Sequence, residues 1–244
     1  MKSLQVFLLW CVTMFFTSCN GSEEKTTSTS LSTDTTATTA STADATTSSI
    51  TTTPQNMLVV TYKVSDFAKW RVSYDARDSM RVANGIHSYV ISRGIKDSNT
   101  VMLALKIDDV AKAKAFTKDA ALKKAMLKGN VLGDPVYDFI TMVYQDTSVS
   151  SAPIRSRASF MVKDWATWLK SFEGGAQERM ENGLTLRAYG HDVDNPNKVV
   201  VVTSVTDSAK AAAYWTSDRI KKRWEESGVI GQPQRFLYRV VQRF

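Results

Sequence analysis

The chain has 244 residues, a formal net charge of +7 and two cysteines, a length that allows one or two domains. Both cysteines, Cys11 and Cys19, lie at the N-terminus. Residues 20–244 therefore contain no thiol. This composition excludes a disulfide, a thiolate nucleophile and a thiolate metal site from the folded part.

Residues 1–19 have the features of an export signal. Lys2 is followed by an apolar run, residues 6–16, and then by Thr17-Ser18-Cys19. The run is shorter than the roughly 20 apolar residues that a membrane-spanning helix needs. The pattern resembles a bacterial lipoprotein signal, which is cut before a cysteine that is then acylated. An ordinary secretory signal with an incidental cysteine is the alternative.

The resemblance implies a protein that is anchored to a membrane by lipid on Cys19 and does not span it. In such proteins an aspartate directly after the cysteine favours retention in the inner membrane, and this chain has Asn20 there. The expected location is therefore the cell envelope, at the outer membrane. Ser22-Glu23-Glu24 resembles a short acidic tag for display on the cell surface. The solvated start of a linker explains these three residues equally well.

Residues 20–56 are predicted to form a disordered linker. From residue 25 onward the segment is mostly Thr, Ser and Ala, and such a composition cannot bury enough apolar surface to offset the entropy of ordering. A flexible chain of this length has a mean reach of about 30 Å. We therefore expect the linker to hold the folded part away from the membrane surface.

The rest of the sequence contains one segment twice. Asp66-Phe67-Ala68-Lys69-Trp70 recurs 98 residues later as Asp164-Trp165-Ala166-Thr167-Trp168. At the same spacing, Asn84-Gly85 matches Asn182-Gly183 and Gly133-x-Pro135 matches Gly231-x-Pro233. An unbroken spacing of this kind indicates an internal duplication. It predicts two repeats, residues 57–146 and 155–244.

Each repeat has the pattern of alternating strands and helices. In the first copy, helical spacing follows Asp66, which suits a helix start, and Asn84-Gly85 suits its end. A second helix begins near Asp109 and restarts near Asp119. The predicted strands are residues 57–64, 86–93, 101–107 and 137–144. The order is β-α-β-β-α-β, the ferredoxin-like unit.

A ferredoxin-like unit covers only one face of its sheet with helices. The other face would expose several large apolar side chains, each worth about 1.5–3 kcal/mol when buried. Two copies in one chain can cover these faces by packing sheet on sheet. The sequence therefore predicts an α+β fold of two tandem ferredoxin-like βαββαβ repeats that pack sheet to sheet as a pseudo-dimeric α+β barrel, within a monomer.

The residues that recur in the repeats also form a pattern that resembles a known protein superfamily. The pattern is Asp66-Phe67-x-x-Trp70, Arg81, Gly85-Ile86, Asn99-x-Val101 and Gly133-x-Pro135. It is similar to the dimeric α+β barrel superfamily, which includes antibiotic-biosynthesis-monooxygenase-like domains and haem-degrading relatives. Most members are homodimers, so the resemblance implies that the duplication supplies both halves here.

Strand alternation predicts a polar set of side chains between the two sheets. If the apolar side of the second strand in each repeat faces the helices, the opposite side carries the candidate ligand-binding residues: His87, Tyr89, Arg93, Arg187, Tyr189 and His191. A small anionic or aromatic ligand would suit such a lining. The alternative is that some of these side chains reach solvent or pair with Asp192 and Asp194. Since His87 aligns with Thr185 and Arg93 with His191, either one asymmetric site or drift in one copy explains the divergence.

No metal and no cofactor are expected. The chain has two histidines, His87 and His191, on different repeats, and a metal site needs three or more convergent ligands. No phosphate loop, nucleophile elbow or nucleic-acid recognition motif occurs. The leading hypothesis is an envelope lipoprotein that binds a small ligand between the sheets. The alternatives are a cofactor-independent oxygenase that uses His87, Tyr89, Arg187 and His191, and a scaffold with a filled barrel.

Overall fold

The computed structural model describes residues 49–244. The predicted signal peptide, residues 1–19, and residues 20–48 of the predicted linker lie outside this range. Residues 49–56 belong to the folded part, because Ile50–Thr51 (β1) pairs with the end of a long strand and the next strand begins at Gln55. The prediction of a disordered linker is therefore wrong for residues 49–56.

The elements of the two repeats follow each other in the same order. The first repeat contains β2 (Gln55–Val64), α1 (Phe67–Asp75), α2 (Asp78–Ala83), β3 (Ile86–Gly94), β4 (Thr100–Ile107), α3 (Val110–Thr117), α4 (Ala120–Lys128) and β5 (Val131–Asp146). The second contains β6 (Ile154–Val162), α5 (Trp165–Gly174), α6 (Ala176–Glu181), β7 (Leu184–Asp192), β8 (Lys198–Val205), α7 (Ser208–Thr216), α8 (Asp218–Glu226) and β9 (Val229–Arg243).

The predicted helix ends agree with the structure. The side chains of Asp66 and Asp164 accept hydrogen bonds from backbone N–H groups of the first turns of α1 and α5, at 3.0 and 2.8 Å, which satisfies donors that have no partner inside a helix. Gly85 and Gly183 have φ of +65° and +73° just after α2 and α6, a conformation that favours glycine. The predicted restart at Asp119 divides α3 from α4.

The eight long strands form a closed antiparallel barrel. The first repeat has the order β5-β2-β4-β3 and the second has β9-β6-β8-β7, and the two sheets are joined by pairing of β3 with β9 and of β5 with β7. We call these two pairings the β3–β9 seam and the β5–β7 seam. The prediction of a pseudo-dimeric α+β barrel is confirmed, and its halves are joined by backbone hydrogen bonds at both seams.

Two kinds of core follow from this arrangement. Outside the barrel, each sheet packs against its own helices around a buried tryptophan, Trp70 or Trp168. Inside the barrel, residues of both repeats form one shared cluster: Met57, Val59, Met102, Ile140, Met142, Val200 and Tyr238. Within residues 49–244 no helix has the length and apolar character needed to cross a membrane.

Candidate functional site

The central strands β3 and β7 each contain a β-bulge. In β3 the register to β4 shifts between Ser88 and Val90, so Tyr89 is the extra residue. In β7 the register to β8 shifts between Leu186 and Ala188, so Arg187 is the extra residue. An extra residue reverses the alternation of every side chain beyond it. Tyr89 and Arg187 occupy equivalent positions in the two repeats.

The bulges carry three of the predicted site residues to the helix-covered face. The guanidinium of Arg93 lies 4.2 Å from the ring centroid of Phe67. The hydroxyl of Tyr189 donates a 3.0 Å hydrogen bond to Glu173, and the His191 ring lies 4.9 Å from the ring of Trp165. The prediction that Arg93, Tyr189 and His191 face the space between the sheets is therefore wrong, because simple alternation ignores the bulges.

His87 is also away from the barrel centre. It lies near the start of β3, its side chain is 44% exposed, and its Nε2 is 2.9 Å from a carboxylate oxygen of Asp108. Of the six predicted residues, the structure brings only Tyr89 and Arg187 together inside the barrel. The residue set that was predicted for an oxygenase, which includes both histidines, does not share one cavity.

A cavity of about 100 Å³ lies inside the barrel and draws on both repeats. We call it the interior cavity. Its polar wall is formed by Tyr89, Ser92, Gln145, Asp146, Arg155, Arg187, Tyr238 and Arg243. Its apolar wall is formed by Met57, Val90, Met102, Ala104, Met142, Ala188, Val202 and Val240.

Arg187 is held firmly at one side of the interior cavity. Its Nη1 donates to a carboxylate oxygen of Asp146 at 2.8 Å and to Oγ of Ser148 at 3.0 Å, and its Nη2 donates to the Ser148 carbonyl oxygen. Burial would raise the pKa of Asp146, but hydrogen bonds from Ser148 and the charge of Arg187 hold that pKa below its usual range. Asp146 is therefore the carboxylate that balances Arg187.

Arg155 has no such partner. It is 6% exposed, it lines the interior cavity, and none of the residues 49–244 forms a hydrogen bond or an ion pair with its side chain. Burial, and then the positive charges of Arg187 and Arg243, lower the pKa of Arg155 from the ordinary arginine value, while Tyr238 and the charge of Asp146 act in the opposite direction. A largely buried cation that forms no ion pair of its own is unfavourable, so this guanidinium is a natural position for an anionic ligand.

Sequence reasoning missed Arg155. The residue is the second of β6 and aligns with the apolar Met57 of the first repeat. That mismatch was the available signal, because a charge at a position that is apolar in the other copy indicates a changed environment. Ser92 was missed as well; its hydroxyl is fully buried at the interior cavity and has no hydrogen-bond partner within the described chain.

A separate group of charged strand residues is compensated. Asp138 accepts hydrogen bonds from Arg157 at 2.8 Å and from Lys198 at 3.0 Å, and Lys198 also donates to Asp192 at 3.2 Å. Burial opposes the ionisation of Asp138, but the charges of Arg157 and Lys198 lower its pKa. These four residues show how this fold balances charge, and Arg155 departs from that pattern.

Each repeat also has a cavity between the centre of its sheet and its helices. The cavity of the second repeat measures about 80 Å³ and is lined by residues that include Trp168, Phe172, Arg179, Tyr214, Trp215 and Arg235. Burial lowers the pKa of Arg235 to about 10, and its guanidinium lies 4.1 Å from the Trp215 ring centroid. The cavity of the first repeat measures about 70 Å³ and is lined mainly by apolar and aromatic side chains.

The described residues offer no grouping of three or more His, Cys, Asp or Glu side chains that could hold a metal ion. Guanidinium groups that could bind a small anion include that of Arg155 in the barrel and that of Arg235 under the helices. They lie in different cavities, so each defines a separate site.

Comparison with known proteins places the fold. No protein-family model and no curated protein matches the sequence. A proposed monooxygenase from Fusobacterium nucleatum subsp. nucleatum is similar over 78% of this chain and 93% of its own, with a TM-score of 0.51 and 14% identity. An anthrone oxidase-like protein is similar over 77% and 92%, with a TM-score of 0.51 and 12% identity.

A Listeria monocytogenes ferredoxin-fold protein related to antibiotic biosynthesis monooxygenases gives a TM-score of 0.43 at 8% identity, over 78% of this chain and 97% of its own. The strand order and the two structures with a TM-score of 0.51 give this chain the fold of two ferredoxin-like repeats joined as an α+β barrel. At these identities the likeness concerns the fold, and function must be argued from the site.

Proposed function

We propose that the protein binds a small anionic ligand in the interior cavity. One observation carries the proposal: Arg155 is 6% exposed, lines the cavity and has no anionic or hydrogen-bonding partner among residues 49–244. Arg187 and the unpartnered hydroxyl of Ser92 stand at the same cavity. Pockets of this kind, mostly apolar with a few placed polar groups, are typical of small-molecule sites.

Replacing Arg155 with methionine tests the proposal. Methionine is the residue at the equivalent position of the first repeat, so the barrel is expected to accept it. We expect short carboxylates to bind the variant at least tenfold more weakly, since a hydrogen-bonded charge pair contributes about 1.5–3 kcal/mol. Without ligand, the variant is expected to be more stable by about 1 kcal/mol or more, because a buried unpaired cation is removed. Calorimetric titration and denaturant unfolding measure the two effects.

The matched control is Arg239→Met, which removes the same charge from an exposed position of β9. It should leave anion binding unchanged. Equal carboxylate affinity in the wild type and the Arg155→Met variant would refute the proposed site. Weakening by both variants to the same extent would show a general effect of net charge, and it would also refute the site.

The cellular location of the protein is also a proposal, and it is based on the sequence. We propose that lipid on Cys19 anchors the barrel at the cell envelope, in the outer membrane. The lipoprotein-like signal supports this assignment. Cells grown with a labelled fatty acid should label the wild type, whereas Cys19→Ser should abolish the label and release the protein from the membrane fraction. Unchanged labelling of the variant would contradict the anchor.

The closed barrel also supports a monomer. In the described part of the chain both ferredoxin-like sheets pair at both edges, so no sheet edge is left for a second copy to pair with. Native mass spectrometry of the full chain should show one copy. A stable dimer would argue against this proposal.

A second candidate is oxidation of a small aromatic substrate in the helix-side cavity of the second repeat. Its wall combines Trp168, Tyr214 and Trp215 with the cation of Arg235. The fold is also similar to a proposed monooxygenase and to an anthrone oxidase-like protein. Oxygen consumption with an anthrone should then be measurable and should fall on Arg235→Gln without loss of fold. No oxygen consumption, or unchanged turnover in the variant, would argue against this candidate.

A further inference from the structure

We infer that the ligand of the interior cavity is a small amphiphilic monoanion, that one molecule binds per chain, and that it binds in one orientation. Its anionic group lies against the arginines of the second repeat and its apolar body against the first repeat. This inference rests on the proposed function, since it specifies the ligand of the same site.

The orientation follows from how the two repeats differ around the cavity. The three arginines that line it, Arg155, Arg187 and Arg243, all belong to the second repeat or its last strand. Their counterparts 98 residues earlier also line the cavity and are uncharged: Met57, Tyr89 and Gln145. The second repeat therefore supplies all the cations of the cavity, whereas the half from the first repeat is mainly apolar and its one charge, the carboxylate of Asp146, is paired with Arg187. A ligand with one charged end and one apolar end matches both halves at once.

The charge of the ligand follows from the buried groups. The cavity is lined by two buried arginines, Arg155 and Arg187, and by one carboxylate, Asp146, whose side chain is 16% exposed. Arg243 is exposed, so solvent screens its charge. One negative charge therefore balances the buried set. A dianion would leave an uncompensated negative charge beside Asp146, which is costly in a buried site.

The size of the ligand follows from the volume and from the apolar wall. An engineered cavity of about 150 Å³ binds benzene, and the interior cavity measures about 100 Å³. A short-chain carboxylate or sulfonate fits this volume. Three methionines, Met57, Met102 and Met142, lie on the wall, and their unbranched side chains can adapt to the ligand body. Each additional buried CH₂ should therefore strengthen binding.

The test is a calorimetric titration of the full chain with matched probes. We expect affinity to rise from acetate to propionate to butyrate, about fourfold per CH₂, with one site per chain. Butyramide, the neutral analogue of butyrate, and succinate, a dianion of the same length, should each bind at least tenfold more weakly than butyrate. As a gain-of-function test, Met57→Arg places a cation in the half that the first repeat forms, where the wild type has none. It should reverse the preference between butyrate and succinate.

The outcomes separate this inference from the proposed function. If acetate and butyrate bind equally, or if succinate binds as well as butyrate, while binding still depends on Arg155, the anion site stands and the amphiphilic monoanion is refuted. Two bound molecules per chain would also refute it. If no anion binds in an Arg155-dependent manner, the proposed function itself fails. The probe series in the wild type gives these answers even if Met57→Arg does not fold.

Discussion

Replacing Gly190 with alanine should destabilise the barrel more than any surface change, by about 3 kcal/mol. Gly190 pairs with Met142 across the β5–β7 seam. A Cβ at position 190 would lie 2.2 Å from the carbonyl oxygen of Thr141 and 2.8 Å from Cα of Met142. Both atoms belong to backbone, so relief requires the two strands to move apart at one of the two pairings that close the barrel. Denaturant unfolding measures the loss.

The matched control is Gly174→Ala at the end of α5. A Cβ there meets no atom within 4 Å, so this variant should have the stability of the wild type or slightly more. If Gly190→Ala were as stable as Gly174→Ala, the close approach of β5 to β7 would be contradicted, and with it the closed form of the barrel.

Asp146→Asn should be the second most damaging change, at about 2–3 kcal/mol. The substitution removes the carboxylate that balances Arg187 and leaves both buried arginines of the interior cavity without a fixed anion. A short carboxylate in the buffer should then recover part of the lost stability, because it supplies the missing charge. Urea unfolding with and without butyrate measures both effects. Adding Arg155→Met to the variant should also recover part of the loss.

The same residue gives a pH dependence with a defined sign. The pKa of Asp146 is lower in the folded protein than its usual value, so the carboxylate stabilises the fold above pH about 4, and this contribution is lost as the pH falls through the folded-state pKa. The unfolding free energy of Asp146→Asn should consequently fall less on acidification. Asp75→Asn is the control, since Asp75 pairs with Arg71 on the surface of α1 and such pairs contribute little. Equal acid sensitivity of Asp146→Asn and the wild type would contradict the role given to Asp146.

The parts of the fold that depend on local rules could be predicted from the sequence. Asp66 and Asp164 begin helices and Gly85 ends one, because capping and left-handed turns are properties of a few adjacent residues. The strand order within one repeat and the pairing of two repeats also follow, since an open apolar sheet face needs a cover. These are features for which neighbouring residues, or the need to bury a face, decide the outcome.

The site was harder to predict, because its geometry depends on register. Nothing in Ser88-Tyr89-Val90 indicates a bulge; the shift exists only relative to β4 and to the seam partner of β3. It leaves Tyr89 on the inner face, where alternation had predicted it, and carries Arg93 to the other face. Arg155 was overlooked for a related reason: a cation at a barrel position becomes informative only when the apolar residue at the same position of the other repeat is compared with it.

The fusion of both halves in one chain affects which residues can line this barrel. In a barrel made of two identical chains, each residue that lines a cavity on the symmetry axis is present twice. An arginine at position 155 would then face its own copy, and six guanidinium groups would crowd a space of about 100 Å³, with strong mutual repulsion. Fusion removes this constraint, because each position can change in one half alone. A covalent link between two similar halves thus permits a one-sided distribution of charge that symmetry would forbid.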